Sequence, residues 1–243
     1  MPTVLILGAT SDMGLAIARK FASERYAVQL AGRRPEQLEA FRSDLSIRSG
    51  VPCTVHAFDA LDFGSHAAFY ESLPVKPDVT VYVAGYMTEN ETAIRSLDET
   101  LRTIHTNYTG AVSILNVVAA DYMARKSGTI VGISSVAGLR GRQSNYIYGS
   151  AKAGFTAYLS GLRNRLFHEG AHVVTVLPGF VYTKMTEHLN LPKLLTAQPE
   201  AVGSVVYEAV QGKKNTVYVK WFWRWIMLII TSVPEFIFKK KKL

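Results

Sequence analysis

Short apolar runs, mostly β-branched, alternate along the chain with segments of helical period. This alternation is the tightest constraint on what the chain can fold into. The runs fall at Thr3–Leu7, Ala27–Ala31, Val51–Phe58, Val79–Val83, Thr129–Ser134, His172–Leu177 and Thr216–Val219. Helix-period segments such as Met13–Glu24, Pro35–Ser49 and Tyr146–Glu169 lie between them. Val4-Leu5-Ile6-Leu7 is apolar without a break, which suits a strand buried on both faces. Such strands belong to a parallel sheet covered by helices. Seven of them, alternating with helices, predict an α/β fold with a doubly wound seven-stranded parallel sheet. The 243 residues fit one such domain, expected over residues 1–220, and a hydrophobic content of 48% excludes disorder.

Charge is distributed unevenly. The chain carries 27 Lys/Arg against 19 Asp/Glu, a formal net charge of +8. Eight of those bases and one acid, Glu235, lie between Lys213 and Leu243, so this tail holds +7 and residues 1–212 hold +1. A folded nucleic-acid reader shows a basic face on its body, so no nucleic-acid partner is expected. The single cysteine, Cys53, excludes an intrachain disulfide. The opening MPTVLILGAT runs straight into a strand and a glycine turn, unlike a secretory signal, and a cytoplasmic location is expected. No cluster of His, Cys, Asp and Glu has metal-ligand spacing, so no catalytic metal is expected.

The first strand enters Gly8-Ala9-Thr10-Ser11-Asp12-Met13-Gly14 and a helix follows. A strand, a glycine turn and a helix N-terminus form a phosphate cradle. Gly8 permits the turn, Gly14 permits close packing of helix on strand, and free N–H groups meet a pyrophosphate. A tight turn without a ligand is the alternative. The second strand ends in Gly32-Arg33-Arg34, with no acid to bond the ribose 2′-OH of NAD(H). Arg33, with Thr10 or Ser11, suits a 2′-phosphate instead, which favours NADP(H) over NAD(H). Arg33 and Arg34 also fit solvated charges before a helix. Asp59 and Ala60, at the end of the third strand, are placed to meet the adenine edge, or Asp59 caps a loop.

Tyr148 and Lys152 stand four apart in a helical segment and share a face. An ammonium beside a phenol favours the phenolate, so Tyr148 is expected to exchange a proton near neutral pH. Tyr146 has no such partner, because position 150 is Ser. Ser135, at a strand end, is placed to hold a carbonyl oxygen. In this order and spacing, Gly8 to Gly14, Ser135, Tyr148-x-x-x-Lys152 and Pro178-Gly179 resemble the short-chain dehydrogenase/reductases over roughly residues 1–220. The resemblance implies a Rossmann-type domain and NAD(P) as hydride carrier. It implies Tyr148 as acid/base, Lys152 on the nicotinamide ribose, and Ser135 orienting the carbonyl. Asn107 matches the asparagine that supports a proton-relay water. Met13 belongs to the matching glycine turn. Pro178, Gly179, Val181 and Thr183 match the segment near the cofactor carboxamide. Two positions depart from the pattern: Asp12 replaces a glycine, and Val83-Ala84-Gly85 replaces Asn-Ala-Gly. Asp12 is expected to cap the helix and point away from the pyrophosphate.

From Trp221 the chain is aromatic and aliphatic and ends in Lys239–Lys242. Its longest uncharged run, Trp225–Pro234, is half the length a membrane span needs. Aromatics beside lysines suit a segment lying in the interface of an anionic membrane. Packing of residues 221–243 on the body or on a partner subunit is the alternative, and the family implies a homodimer or tetramer. Lys-Lys-Lys-Leu at the end also fits a dilysine retrieval pattern. A narrower resemblance rests on Gly8–Ile17, Phe58–Asp62, Asn107–Ser113, the stretch around Tyr148, Met185–Leu189 and the tail. It is to the decaprenylphosphoryl-2-keto-β-D-erythro-pentose reductases, which reduce a keto sugar on a polyprenyl phosphate after a flavin oxidase partner has acted. An acid at the position of Asp12 occurs in that branch. The expected reaction is reduction of a ketone. Residues 182–199 are expected to form a substrate lid, with Met185, His188, Leu189 and Leu191 facing an apolar group. A reductase of another lipid or soluble carbonyl, or a non-catalytic NADP-binding subunit, are the alternatives.

Overall fold

In the computed structural model, which describes residues 1–187 and 190–241, Val4 and Ile6 enter one hydrophobic layer and Leu5 and Leu7 the other. The first strand is therefore buried on both faces, as its unbroken apolar run requires. The strands are β1 (Thr3–Leu7), β2 (Ala27–Gly32), β3 (Cys53–Ala57), β4 (Val79–Tyr82), β5 (Thr129–Ile133), β6 (His172–Pro178), β7 (Phe180–Val181), β8 (Thr196–Ala197) and β9 (Thr216–Val219). Seven of them form one parallel sheet in the order β3-β2-β1-β4-β5-β6-β9. The winding reverses between β1 and β4, and a doubly wound sheet opens its binding crevice there, beyond the strand C-termini.

The helices are α1 (Asp12–Ser23), α2 (Glu39–Ser49), α3 (His66–Ser72), α4 (Asn90–Arg95), α5 (Leu97–Ile104), α6 (Gly110–Arg125), α7 (Tyr146–Leu166), α8 (Pro199–Gln211), α9 (Trp223–Ser232) and α10 (Glu235–Phe238). Ile17 and Phe21 of α1 and Val202 and Val206 of α8 cover one face of the sheet. Ile114 and Val118 of α6 and Phe155 and Leu159 of α7 cover the other. The helical period at Pro35–Ser49 starts as a 3-10 turn over Pro35–Leu38 before α2.

Two expected boundaries move. β8 pairs with β7, Phe180 opposite Thr196 and Val181 opposite Ala197, and α8 starts at Pro199. The excursion expected over 182–199 is thus closed at its base and spans 182–195. Met185 faces the larger substrate-side cavity described below, and Leu191 is half-buried without lining it. His188 and Leu189 lie outside the described residues, as do Lys242 and Leu243 of the retrieval pattern.

The tail returns to the body. Trp223, Met227 and Phe238 are buried, and the first two join Val136 and Leu177 in a third hydrophobic cluster. The Trp223 indole Nε1–H donates to the Leu195 carbonyl at 3.2 Å. Arg140 reaches the Glu235 carboxylate at 2.6 Å and lies over the Phe238 ring at 4.3 Å. Residues 223–238 are therefore part of the folded domain rather than an appendage after residue 220. The physical reason is the amphipathic pattern: one face of α9 and α10 is apolar enough to complete a core. The other face stays in solvent, with Trp225, Leu228, Ile229, Phe236 and Ile237 exposed. Among the described residues no helix is long and apolar enough to cross a membrane.

Candidate active site

The cradle is built where β1 meets α1. Gly8 has φ +98, and a Cβ there would stand 2.5 Å from the Ala84 nitrogen. Only glycine accepts both that conformation and that approach. A Cβ on Gly14 would meet the Gly8 carbonyl at 2.8 Å. The Ser11 hydroxyl donates to the Gly8 carbonyl at 2.9 Å and accepts from the Gly14 N–H at 3.1 Å. It is the N-cap of α1. Its one proton is thereby used, so Ser11 holds the loop and does not donate to a 2′-phosphate. Asp12 does point away, but not as a cap. Its carboxylate accepts the Lys184 N–H at 2.7 Å and ties the segment after β7 to α1.

Beside the cradle lies a cavity of about 580 Å³. Gly8, Thr10, Ser11, Arg33, Asp59 and Ala60 line it together, as the sequence motifs expect. Asp59 is also a loop cap, since its carboxylate accepts the Leu61 N–H at 3.0 Å. Tyr86 and Arg102 complete the wall and were not singled out in the sequence. The Arg102 guanidinium stacks on the Tyr86 ring at 4.0 Å, and Glu99 bonds the Tyr86 hydroxyl. An arginine seven residues into a helical stretch carries no motif, so the sequence offered no signal for it.

Ser135 follows β5, and Tyr148 and Lys152 stand on α7. Two glycines bring them together. A Cβ on Gly138 would stand 2.7 Å from the Lys152 carbonyl carbon, and one on Gly149 would stand 2.9 Å from the Ala137 carbonyl oxygen. The turn Val136–Gly138 therefore lies directly against α7. Ser135 and Tyr148 line one cavity together. Ser135 Oγ accepts the Ala137 N–H at 3.1 Å. Burial pushes Tyr148 up to about 12, with the nearby Ser135 hydroxyl acting the other way.

Lys152 is buried, and its Nζ donates to the Ile133 carbonyl at 3.0 Å. Burial pushes it down to about 7. The expected lowering of the Tyr148 pKa by an adjacent ammonium is not established by the protein groups alone. Desolvation outweighs it, because Lys152 bonds a carbonyl and its Nζ lies 5.8 Å from the Tyr148 ring centre. Asn107 is fully buried in a π-helical turn between α5 and α6. Its side-chain amide donates to the Tyr86 and Thr103 carbonyls at 2.5 and 2.8 Å and accepts the Tyr86 N–H at 3.3 Å. The amide thus clamps the strand end after β4 and is a positioning group.

A second cavity, of about 780 Å³, opens at Ser135 and Tyr148. Met13, Pro178, Gly179, Val181 and Thr183, expected at the cofactor, line this second cavity. Thr183 is held by Thr186, hydroxyl to hydroxyl at 3.2 Å. Arg142, Asn145 and Trp223 also line it and went unnoticed in the sequence. Trp223 sits against Gly179, where a Cβ would come within 2.0 Å of the indole. That wall of the pocket is supplied by the tail.

A dinucleotide crevice beside a Ser–Tyr pair with a buried lysine defines the class as an oxidoreductase site. The short chain dehydrogenase family matches residues 2–193, and the chain belongs to that family. It is 32% identical over 240 residues to an uncharacterized oxidoreductase of Mycobacterium tuberculosis, across 98% of this chain and 96% of that one. It is 30% identical over 224 residues to a ketoacyl reductase of Nostoc, across 89% of this chain and 78% of that one. A short-chain dehydrogenase from Sphingobium yanoikuyae, solved with NADPH, shares the fold with a TM-score of 0.83 at 22% identity, covering 97% of both chains. An actinorhodin polyketide ketoreductase, also solved with NADPH, gives 0.81 at 23% identity, covering 91% of this chain and 97% of that one.

The lysine's burial has a measurable cost. Unfolded, Lys152 holds its proton to its ordinary value of 10.5; folded, only to about 7. The unfolded chain thus binds more protons between these values, and stability rises with pH across that window. In the absence of nucleotide, Lys152→Met should melt at a higher temperature than the parent, most clearly below pH 7. The gap should close as pH approaches 10.5. A gap independent of pH in thermal denaturation would show that Lys152 is not desolvated.

Proposed function

We propose that this protein is an NADPH-dependent reductase that converts a ketone to a secondary alcohol. The observation that carries the reading is the convergence of Ser135 and Tyr148 on one cavity that the Pro178–Gly179 turn also lines. The residues fit the cofactor. Gly8 lets the turn at the cradle close against Ala84, and Arg33 and Thr10 line the cavity beside it without a competing acid at the end of β2. Gly8, Gly14 and the α1 N-terminus would hold the pyrophosphate, Arg33 with Thr10 the 2′-phosphate, and Val181 and Thr183 the carboxamide. NADPH supplies the hydride when bound. Ser135 and Tyr148 hydrogen-bond the carbonyl oxygen and stabilise the charge that develops on it. The Tyr148 hydroxyl gives up its proton to that oxygen. Lys152, with donors beyond the one given to Ile133, bonds the ribose and replenishes the proton through solvent. Asn107 keeps Gly85 and Tyr86 in place; a Cβ on Gly85 would meet its Oδ1 at 3.3 Å. NADP-linked sites in two solved relatives of the fold and the ketoacyl reductase name of a 30% identical relative support this reading.

The substrate we assign is a 2-keto sugar on a polyprenyl phosphate, produced by a flavin oxidase partner. Two features support it beyond the sequence resemblance. The tail that walls the pocket through Trp223 exposes Trp225, Leu228, Ile229, Phe236 and Ile237 on its outer face, followed by Lys239, Lys240 and Lys241. On the same part of the molecule, Lys213, Lys214, Lys220 and Arg224 line a cleft with Trp221. An apolar face ringed by cations suits peripheral binding to an anionic membrane from the cytoplasmic side. Self-association fits the exposed apolar residues Leu97 and Leu101 of α5 beside Tyr146.

Tyr148→Phe should lower NADPH-dependent ketone reduction by about a hundredfold or more while leaving NADPH affinity unchanged, read by cofactor fluorescence and steady-state kinetics. Undiminished turnover would remove the mechanism. For the surface, the wild-type protein should co-sediment with phosphatidylglycerol-containing vesicles, and Trp225→Glu with Ile229→Glu should abolish this without loss of fold. Wild-type protein that stays in the supernatant would contradict the membrane assignment.

A further inference from the structure

The cavity beside Tyr148 holds a cation that no described residue neutralises. Arg142 sits in the loop between the Val136–Gly138 turn and α7 and lines the cavity beside Tyr148. Its Nε is buried and, among the described residues, has no hydrogen-bond partner. Among the described residues no Asp or Glu lines this cavity. A few residues on, Asn145 lines the same cavity, and its side-chain oxygen is also buried without a partner among the described residues. Two neighbouring arginines have partners: Arg140 bonds Glu235, and Arg102 stacks on Tyr86 near Glu99. Burial pulls the Arg142 guanidinium down from its ordinary value, although arginine stays protonated throughout the physiological range.

Folded proteins rarely leave a buried charged donor and a buried acceptor unmet, because each costs its full desolvation penalty. The pair makes sense when a ligand supplies the missing groups. An arginine donor calls for an anion, and an amide oxygen calls for a hydroxyl. We infer that Arg142 and Asn145 form the substrate-recognition end of the pocket, reading a hydroxylated, anionic ketone: Arg142 binds a phosphate or carboxylate oxygen, and Asn145 accepts a hydroxyl hydrogen. Arg142 is then a specificity residue that sets which carbonyl reaches Ser135 and Tyr148. This deepens the ketone-reductase reading and rests on it for the word substrate, but the anion site itself stands on the two unmet atoms.

Calorimetric titration of the NADP⁺-saturated protein tests it, using three small probes: ribulose, ribulose 5-phosphate and a keto acid of similar size. The wild type should bind at least one of the two anions about tenfold or more tightly than ribulose. Arg142→Met should erase that preference and Arg142→Lys should keep part of it, with NADPH affinity unchanged in both. A preference for ribulose 5-phosphate assigns the anion as phosphate, and a preference for the keto acid assigns a carboxylate; both support the site. Equal affinity for all three probes, or a preference that survives Arg142→Met, overturns it. Anion binding without turnover of any ketone would leave this inference standing and refute the reductase reading instead.

Discussion

Ser135 and Tyr148 meet because a turn of backbone lies flat against a helix. Gly138 and Gly149 face each other's elements across that contact, and a methyl group on either would collide with backbone atoms at 2.7 or 2.9 Å. Everything chemical in the site is downstream of this approach. It brings the strand-end hydroxyl of Ser135 and the Tyr148 phenol to one cavity. It seats Lys152 under the turn, where its ammonium finds the Ile133 carbonyl. It also sends the chain from Gly138 outward through Arg140 and Arg142, so that the same loop supplies the tail's latch and a charged side chain in the cavity.

Burial then sets the electrostatics. A phenol and an ammonium in the same dry enclosure are each pushed toward the neutral form, Tyr148 upward and Lys152 downward. Burial thus drives these two groups toward neutrality, and the fixed charge of the crevice comes from Arg33 at the nucleotide cavity and Arg142 at the cavity beside Tyr148. Two arginines, one at the nucleotide cavity and one at the substrate cavity, give the pocket a polarity along its length. A near-neutral body charge conceals that polarity.

Much of this was legible in the residues. An unbroken Val-Leu-Ile-Leu suits a strand buried on both faces of a covered parallel sheet, and a glycine turn between it and a helix suits a phosphate cradle. The four-residue spacing of Tyr148 and Lys152 placed them on one face of α7. What was not legible depends on contacts distant in sequence. The bond from Asp12 to Lys184 joins positions 172 residues apart. Ser11 looked like a phosphate ligand because a hydroxyl in a loop does not reveal that its proton is already taken by Gly8. Trp223 read as an interfacial aromatic, although its indole fills the space left by the missing side chain of Gly179. Arg142 and Asn145 carry no motif at all; only the absence of partners in the fold distinguishes them.

The tail joins two roles in one element. Its inner face completes a third hydrophobic cluster and walls the substrate cavity, and its outer face stays apolar and flanked by lysines. The central claim remains hydride transfer to a carbonyl held by Ser135 and Tyr148. Its most direct test is a single turnover with NADPH carrying deuterium on the transferred face of C4 and a polyprenyl-phosphate keto sugar, followed by mass spectrometry of the product. The account predicts one deuterium on the new carbinol carbon. A product with no deuterium at that carbon, or no reduced product at all, would contradict it.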